Sequence, residues 1–422
     1  MRVEPRAPEE QEQGELASSP VRTGLIIAAV LFLGYRAGLS TLLIIVGLVF
    51  FIFLHELGHY VTARWAGMKV TEFFIGFGPR IWSFQKGETE YGVKAIPAGA
   101  YVRIIGMSNL ETDVEPHEEH RTYRAKPYWR RLSVGLAGST MHFLAAIVLV
   151  FTILSVLGEK TPVEESWYAD AISEDSPAAE AGLQENDRIV AIDDETFTGW
   201  TELTTQLRAM PGESVELTVE RDGDTITVPV TLADEHPDAP QLGRIGFLGV
   251  GAAFESYTTH RENPITGLGK SVVELRDAVW MSITGLGDIF SPDGIEGYVD
   301  TVSSARDGDG SVDNPNRFTS PVGVVRMADE AADRGIADLL YLLFVINVFV
   351  GVFNLVPLLP LDGGHVAIAT YEKIRGMLQG GREYRADVGK LLPVTYAVFL
   401  VLVVIGVTAL YVDIVNPIDF GG

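Results

Sequence analysis

Phe50-Phe51-Ile52-Phe53-Leu54-His55-Glu56-Leu57-Gly58-His59 sets an H-E-x-x-H pattern at the end of an apolar run from Leu39 to Leu54. On a helix, His55 and His59 fall one turn apart on one face, so both imidazoles can reach a single metal ion. Glu56 lies beside them, placed to take a proton from water activated by that ion. The setting is unusual, because the run around the motif reads as a membrane span of about Leu39–Val61. Ionisable side chains at that depth are costly, and three at metal-ligand spacing point to function rather than to packing.

Composition narrows the chemistry. The chain has 422 residues, enough for two or three domains, and 47% of them are hydrophobic, as in a protein that is part membrane and part soluble. With Cys 0, there are no disulfides, thiolate metal sites or cysteine nucleophiles, so any zinc must be held by His and carboxylate. The net charge of −24 is concentrated in residues 158–335, which hold about 35 acidic against 12 basic side chains. Such a surface repels nucleic acid and anionic headgroups, and no nucleic-acid partner is expected.

Further spans are expected at about Leu132–Leu157, Gly335–Leu355 and Pro393–Val415. Residues 1–20 are polar and expected to be disordered. Thr23–Leu33 is apolar but too short to span, with Gly34-Tyr35-Arg36-Ala37-Gly38 interrupting it before the main run. Between the first two spans, residues 70–106 hold short β-rich runs broken by Gly and Pro, which read as hairpins. Basic residues flank this loop (Arg64, Lys69; Arg124, Lys126, Arg130, Arg131), and Lys373, Arg375, Arg382, Arg385 and Lys390 follow the third span. Both loops are therefore expected to be cytoplasmic, and the acidic region outside.

Residues 168–232 have the pattern of a small soluble α+β module. Ser176–Leu183 is a short helix ended by Gly182, and Asn186 heads a turn into a strand in which it can adopt the left-handed conformation. Asp222-Gly223-Asp224 joins two alternating strands as a hairpin. Leu268–Phe290 has helical spacing and suits an amphipathic surface helix better than a span. Asp307–Asn316 reads as a loop.

Two histidines leave zinc short of a third protein ligand. Asp362 is the best candidate, because the broken segment Asn354-Leu355-Val356-Pro357-Leu358-Leu359-Pro360-Leu361-Asp362-Gly363-Gly364 ends the third span at the side where H-E-x-x-H ends the first. His365 is a rival ligand. His142, inside the second span, can hydrogen-bond near the site or satisfy a neighbouring helix, and the second is preferred.

H-E-L-G-H at 55–59, N-L-V-P-L-L-P-L-D-G-G at 354–364 and the module S-P-A-A-E-A-G-L / N-D-R-I-V-A-I-D together resemble the site-2 protease family of intramembrane zinc metalloproteases. The likeness is strongest to its bacterial PDZ-containing branch, of the regulator-of-sigma-E protease type, and covers about residues 38–420. It implies Zn2+ held by His55, His59 and Asp362, Glu56 as general base, and Asn354 holding the substrate strand or the oxyanion. Gly76, Gly78 and Pro357 join the substrate-binding candidates, since the hairpins look like the family's membrane-associated β elements. Where the family often has A-G-P-x-x-N in the second span, this chain has Ala137-Gly138-Ser139-Thr140-Met141-His142.

The expected fold is a multi-span α-helical membrane protein of about four transmembrane helices, with membrane-associated β-hairpins and an inserted extracytoplasmic PDZ-like α+β domain. Its parts are a tail and short apolar segment (1–37), a first membrane half (38–157), the PDZ-like domain (158–250), an extracytoplasmic connector (251–334) and a second membrane half (335–422). The resemblance implies single-span membrane proteins in the lipid bilayer as substrates, such as anti-sigma factors or remnant signal peptides. A peptide ligand of the PDZ-like domain, a multi-pass location in the cell membrane and a site near its cytoplasmic face complete the expectation. A PDZ scaffold with a structural metal, or a metal transporter, would be the alternative.

Overall fold

The H-E-x-x-H run lies on a helix, α1 (Pro20–Trp65), in the computed structural model, which describes residues 20–107, 114–237, 243–307, 318–381 and 384–415. The expected break at 34–38 shrinks to one residue, Gly38, whose φ of 88° and ψ of 163° leave the helical region. Glycine alone takes that backbone without a steric penalty. The disorder expected for residues 1–20 falls almost wholly outside the described residues, as does most of the 307–316 loop.

Among the described residues, four helical stretches are long and apolar enough to cross a membrane: Thr41–Trp65, Tyr128–Leu157, Ile336–Phe353 and Val388–Val415. They are the end of α1, α2 (Tyr128–Phe151) with a wider turn running on to Leu157, α8 (Ile336–Phe353) and α10 (Leu392–Val415). One layer of their packing joins Ile44 and Phe51 to Leu339 and Leu343, and another joins Ala146 and Val150 to Phe344, Val348 and Val352. Small residues let these helices approach: a Cβ on Gly58 would fall 2.7 Å from the Ala137 carbonyl oxygen. On the outer face of α10, Phe399, Leu400 and Val404 are exposed, as suits a helix whose solvent is lipid.

Three helices accompany the spans: α5 (Pro264–Ile289), α6 (Pro292–Asp307) and α7 (Pro321–Arg334). Each begins with proline, whose missing N–H costs nothing at the first position. Asn263 accepts from Thr266 N–H to cap α5, and Ser320 accepts from Val322 N–H to cap α7. Along α5, Leu275, Ala278, Val279 and Leu286 recur at helical spacing and pack on the cluster of the second and third spans. Its remaining surface is mixed: Ile265, Leu268, Trp280 and Met281 are exposed beside Lys270, Glu274, Arg276 and Asp277, so the division into two faces is weaker than the sequence suggests.

The β-rich loop is one curled hairpin, β1 (Val70–Lys86) and β2 (Thr89–Ile104). Phe73 pairs with Val102 on one side and with Tyr91 on the other. Gly76 and Gly78, with φ of 89° and 82°, sit where the register jumps from Ile75 to Phe77 and from Phe77 to Arg80. Below it, Ala63, Met68, Val70, Ile104, Tyr123 and Val134 form a small core at the end of the first span.

A second compact unit runs from Leu157 to Glu262. Strands β5 (Arg188–Ile192), β6 (Glu195–Thr196), β7 (Ser214–Arg221) and β8 (Asp224–Thr231) form one sheet in the order β6-β5-β7-β8. Two more pairs complete it: β3 (Glu159–Pro162) with β10 (Tyr257–His260), and β4 (Trp167–Ile172) with β9 (Val250–Phe254). The module thus extends past residue 250, because its last strands return to pair with its first. Trp167, Ile189, Leu203 and Leu217 fill its core with α3 (Pro177–Glu180) and α4 (Trp200–Arg208). Asn186 (φ 70°), Asp222 (φ 54°) and Gly223 (φ 88°) take the left-handed conformations their turns require.

Candidate metal centre

His55 and His59, both buried, stand one turn apart on α1, and their Nε2 atoms are 3.1 Å from each other. Asp362 opens α9 (Asp362–Leu378), and its Oδ2 lies 3.1 Å from each of those nitrogens. Two residues from the early part of the chain thus meet one from its late part. Among the described residues these three form the group able to hold a metal ion.

The broken segment explains how Asp362 arrives there. The helix of the third span ends at Phe353, and the Gly363 N–H donates to the Asn354 carbonyl at 2.7 Å, turning the chain back on itself. A Cβ on Gly363 would lie 2.3 Å from the Leu355 and Val356 carbonyl oxygens, and one on Gly364 2.6 Å from the Leu359 nitrogen. Only glycines permit that turn. Farther along α9, Val366 packs where a Cβ on Gly135 of the second span would be 2.7 Å away, and Glu372 pairs with Arg131 at 2.6 Å. The helix carrying Asp362 is therefore pinned to the second span.

Three ligand atoms 3.1 Å apart fit one side of a zinc tetrahedron, whose bonds of about 2.0–2.1 Å set its corners about 3.3 Å apart. The surroundings agree. His59 Nδ1 faces the Val134 carbonyl at 2.8 Å, so this nitrogen carries the proton and Nε2 keeps its lone pair for a metal. Glu56 is half-buried beside the cluster.

The profile of Peptidase family M50 matches residues 43–394. Zinc metalloprotease Rip1 of Mycobacterium tuberculosis is 32% identical over 398 residues, covering 86% of this chain and 94% of that protein. The chain belongs to peptidase family M50.

Other M50-like relatives include zinc metalloprotease Rip1 of Mycolicibacterium smegmatis, 31% identical over 90% of this chain and 98% of its own length. A putative zinc metalloprotease of Brucella suis is 28% identical over 77% of this chain and 83% of its own. Among solved structures, the PDZ domain of an SdrC-like protein from Listeria monocytogenes is 17% identical with a TM-score of 0.19, covering 22% of this chain and 93% of that one.

Within this M50 chain the remaining candidates lie outside the three-atom cluster. His365 stands edge-on to Tyr123, with ring centroids 6.3 Å apart. Asn354 caps the third span, Pro357 is exposed in the turn that follows, and Gly76 and Gly78 kink β1. His142 does satisfy a neighbouring helix, through Asn347, but its ring centroid is also 5.1 Å from that of His55. The Val134 carbonyl went unforeseen, since a backbone group leaves no mark in a sequence. Arg131 and Glu372 could have been suspected as opposite charges on segments of the two membrane halves.

Proposed function

We propose that this chain is an intramembrane zinc metalloprotease that hydrolyses peptide bonds in the transmembrane segments of single-span membrane proteins. One observation supports this above the rest: His55, His59 and Asp362 converge at 3.1 Å spacing beside Glu56, within a set of four apolar helices. When bound there, zinc supplies Lewis acidity toward the scissile carbonyl and toward water. Glu56 takes a proton from the attacking water and returns it to the leaving amine. Asn354 and Pro357 hold the substrate near the oxyanion, next to the turn that delivers Asp362.

A transmembrane helix must unwind before it is cut, because its carbonyls are shielded by its own hydrogen bonds. The edge of the curled hairpin, kinked at Gly76 and Gly78, replaces those bonds by strand pairing. The basic residues flanking the hairpin support, by the positive-inside rule, a cytoplasmic side here and an acidic PDZ-like module outside that screens substrates or binds a chain end. Single-span anti-sigma factors and remnant signal peptides are the substrate classes that suit such an arrangement.

The deciding experiment uses purified protein in detergent with a model single-span substrate. Glu56→Gln is expected to abolish cleavage while zinc stays bound, and full activity would remove Glu56 from its role. Asp362→Ala is expected to lose zinc by elemental analysis, and His365→Ala to keep it; the reverse would make His365 the third ligand.

A further inference from the structure

A histidine that binds a metal through one nitrogen almost always gives its other N–H to an acceptor, which fixes the ring. His59 has such an acceptor in the Val134 carbonyl. His55 does not: its Nδ1 is buried and has no hydrogen-bond partner among the described residues. Gly138 of the second span lies flat against this ring, since a Cβ there would be 2.3 Å from Cε1 and 2.6 Å from Nδ1. One turn on, on the same face, is His142, buried and with its ring centroid 5.1 Å from that of His55. At about that centroid separation two imidazoles can share an N–H···N bond of about 3 Å.

Such a bond needs a lone pair on the second ring, and Asn347 of the third span provides for it. The Asn347 Nδ2 donates to the His142 backbone carbonyl at 2.5 Å, and a carbonyl can only accept. That fixes the amide orientation, because the flipped form would set two oxygens against each other. The Asn347 Oδ1, 2.6 Å from His142 Nδ1, must then accept from it. His142 is thereby held with the proton on Nδ1 and the lone pair on Nε2.

We propose that His142 is a positioning residue for the metal centre: held as an acceptor by Asn347, it takes the His55 Nδ1–H once the ion is bound, a bond the two rings do not make in this structure, and so aims His55 Nε2 at the ion. The inference rests on the metal-centre reading above. It joins all three spans of the cluster through one chain of polar groups, Asn347 to His142 to His55. It also gives a function to the position where Ala137–His142 departs from the pattern of the resembling family.

The test is zinc affinity of the full chain in detergent, measured by competition with a chelating dye. His142→Leu is expected to weaken zinc binding about 10–100-fold. Asn347→Leu should act in the same direction, and the double variant should bind no more weakly than His142→Leu alone, since both interrupt one chain. Wild-type affinity in His142→Leu would overturn the proposal, as would effects of the two substitutions that multiply. Ser139 Oγ is also buried without a partner, so a loss in Ser139→Ala with none in His142→Leu would assign the acceptor there instead. Should the leucine variants fail to fold, nitrogen NMR of histidine-labelled wild type decides: His142 protonated on Nδ1 supports the proposal, and on Nε2 overturns it. A wild type that binds no zinc would remove both readings, whereas one that binds it indifferently to His142 removes this one alone.

Discussion

Two buried ion pairs, one in each compact unit, have nearly the same bond length and opposite surroundings. In the membrane unit, Arg131 and Glu372 meet at 2.6 Å with side chains 9% and 5% exposed. In the inserted module, Arg221 and Asp187 also meet at 2.6 Å, but the guanidinium is 24% exposed and the carboxylate 1%. Both members of the first pair are buried and have further partners: the Ala386 N–H donates to Glu372 Oε1, and the Tyr123 ring lies 5.1 Å from the Arg131 guanidinium. The second keeps one partner at the water. Bond length therefore says little about what each pair contributes, which depends on where the charge left behind would go.

The largest expected effect follows from that difference. Arg131→Leu leaves Glu372 charged and buried without its partner, and removing one partner of such a pair typically costs about 3–5 kcal/mol. Because Glu372 lies on the helix that begins with Asp362, zinc binding should weaken along with thermal stability in detergent. The double variant Arg131→Leu/Glu372→Leu should recover most of the stability, since no charge is then left unpaired. A single variant as stable as wild type would show that water reaches the pair and would break the comparison.

Glycines sharpen the same contrast at smaller magnitude. Gly138 of the second span is constrained by a neighbour, the His55 ring, whereas Gly182 of the module has nothing within 4 Å of its missing Cβ but sits at φ 77°. Gly138→Ala should cost about 1–3 kcal/mol through overpacking and displace His55, the proposed metal ligand. Gly182→Ala should cost about 1–2 kcal/mol through backbone strain and leave zinc affinity unchanged. Zinc titration alongside thermal unfolding separates the two; a zinc-neutral Gly138→Ala would mean that the second span yields to the methyl group.

The same physics explains what was legible in the sequence. H-E-x-x-H announces itself because three ionisable groups interrupt an apolar run, and Asp362 because Pro357, Pro360, Gly363 and Gly364 break a span beside it. The module's turns were readable because Asn186, Asp222 and Gly223 each meet a local backbone demand. The double pairing of Phe73 was not, since register depends on which strands meet rather than on their residues. Nor could the sequence tell that His142 faces both Asn347 and His55, because helical spacing gives a face but not the neighbours of that face. The reach of the module to Glu262 was missed for a related reason: β9 and β10 acquire strand character by pairing with distant β4 and β3.

The smallest effect concerns the exposed end of the comparison and can be read by pH. Burial pushes the Asp187 carboxyl up, but the Arg221 guanidinium, bonded through Nε at 2.7 Å and Nη2 at 2.6 Å, and the Gln184 N–H at 2.8 Å more than offset it, so the group is held below the ordinary carboxylate range. A carboxylate whose folded pKa lies below its unfolded value, about 3.9, contributes stability that is present in full above that pH and is lost as pH falls through the folded value. Arg221 stays charged throughout, so protonation leaves a cation that can turn to water. The loss should therefore be modest. Hydrogen exchange at the β5 and β7 amides of the full chain is expected to be independent of Asp187 ionisation near neutrality, apart from the intrinsic pH dependence of exchange, and to show lost protection below about pH 4. Asp187→Asn should be less protected by about 1 kcal/mol at neutral pH and should flatten the acid response. An acid response of the same size in wild type and Asp187→Asn would assign it to other carboxylates and place the Arg221 pair among those that contribute little.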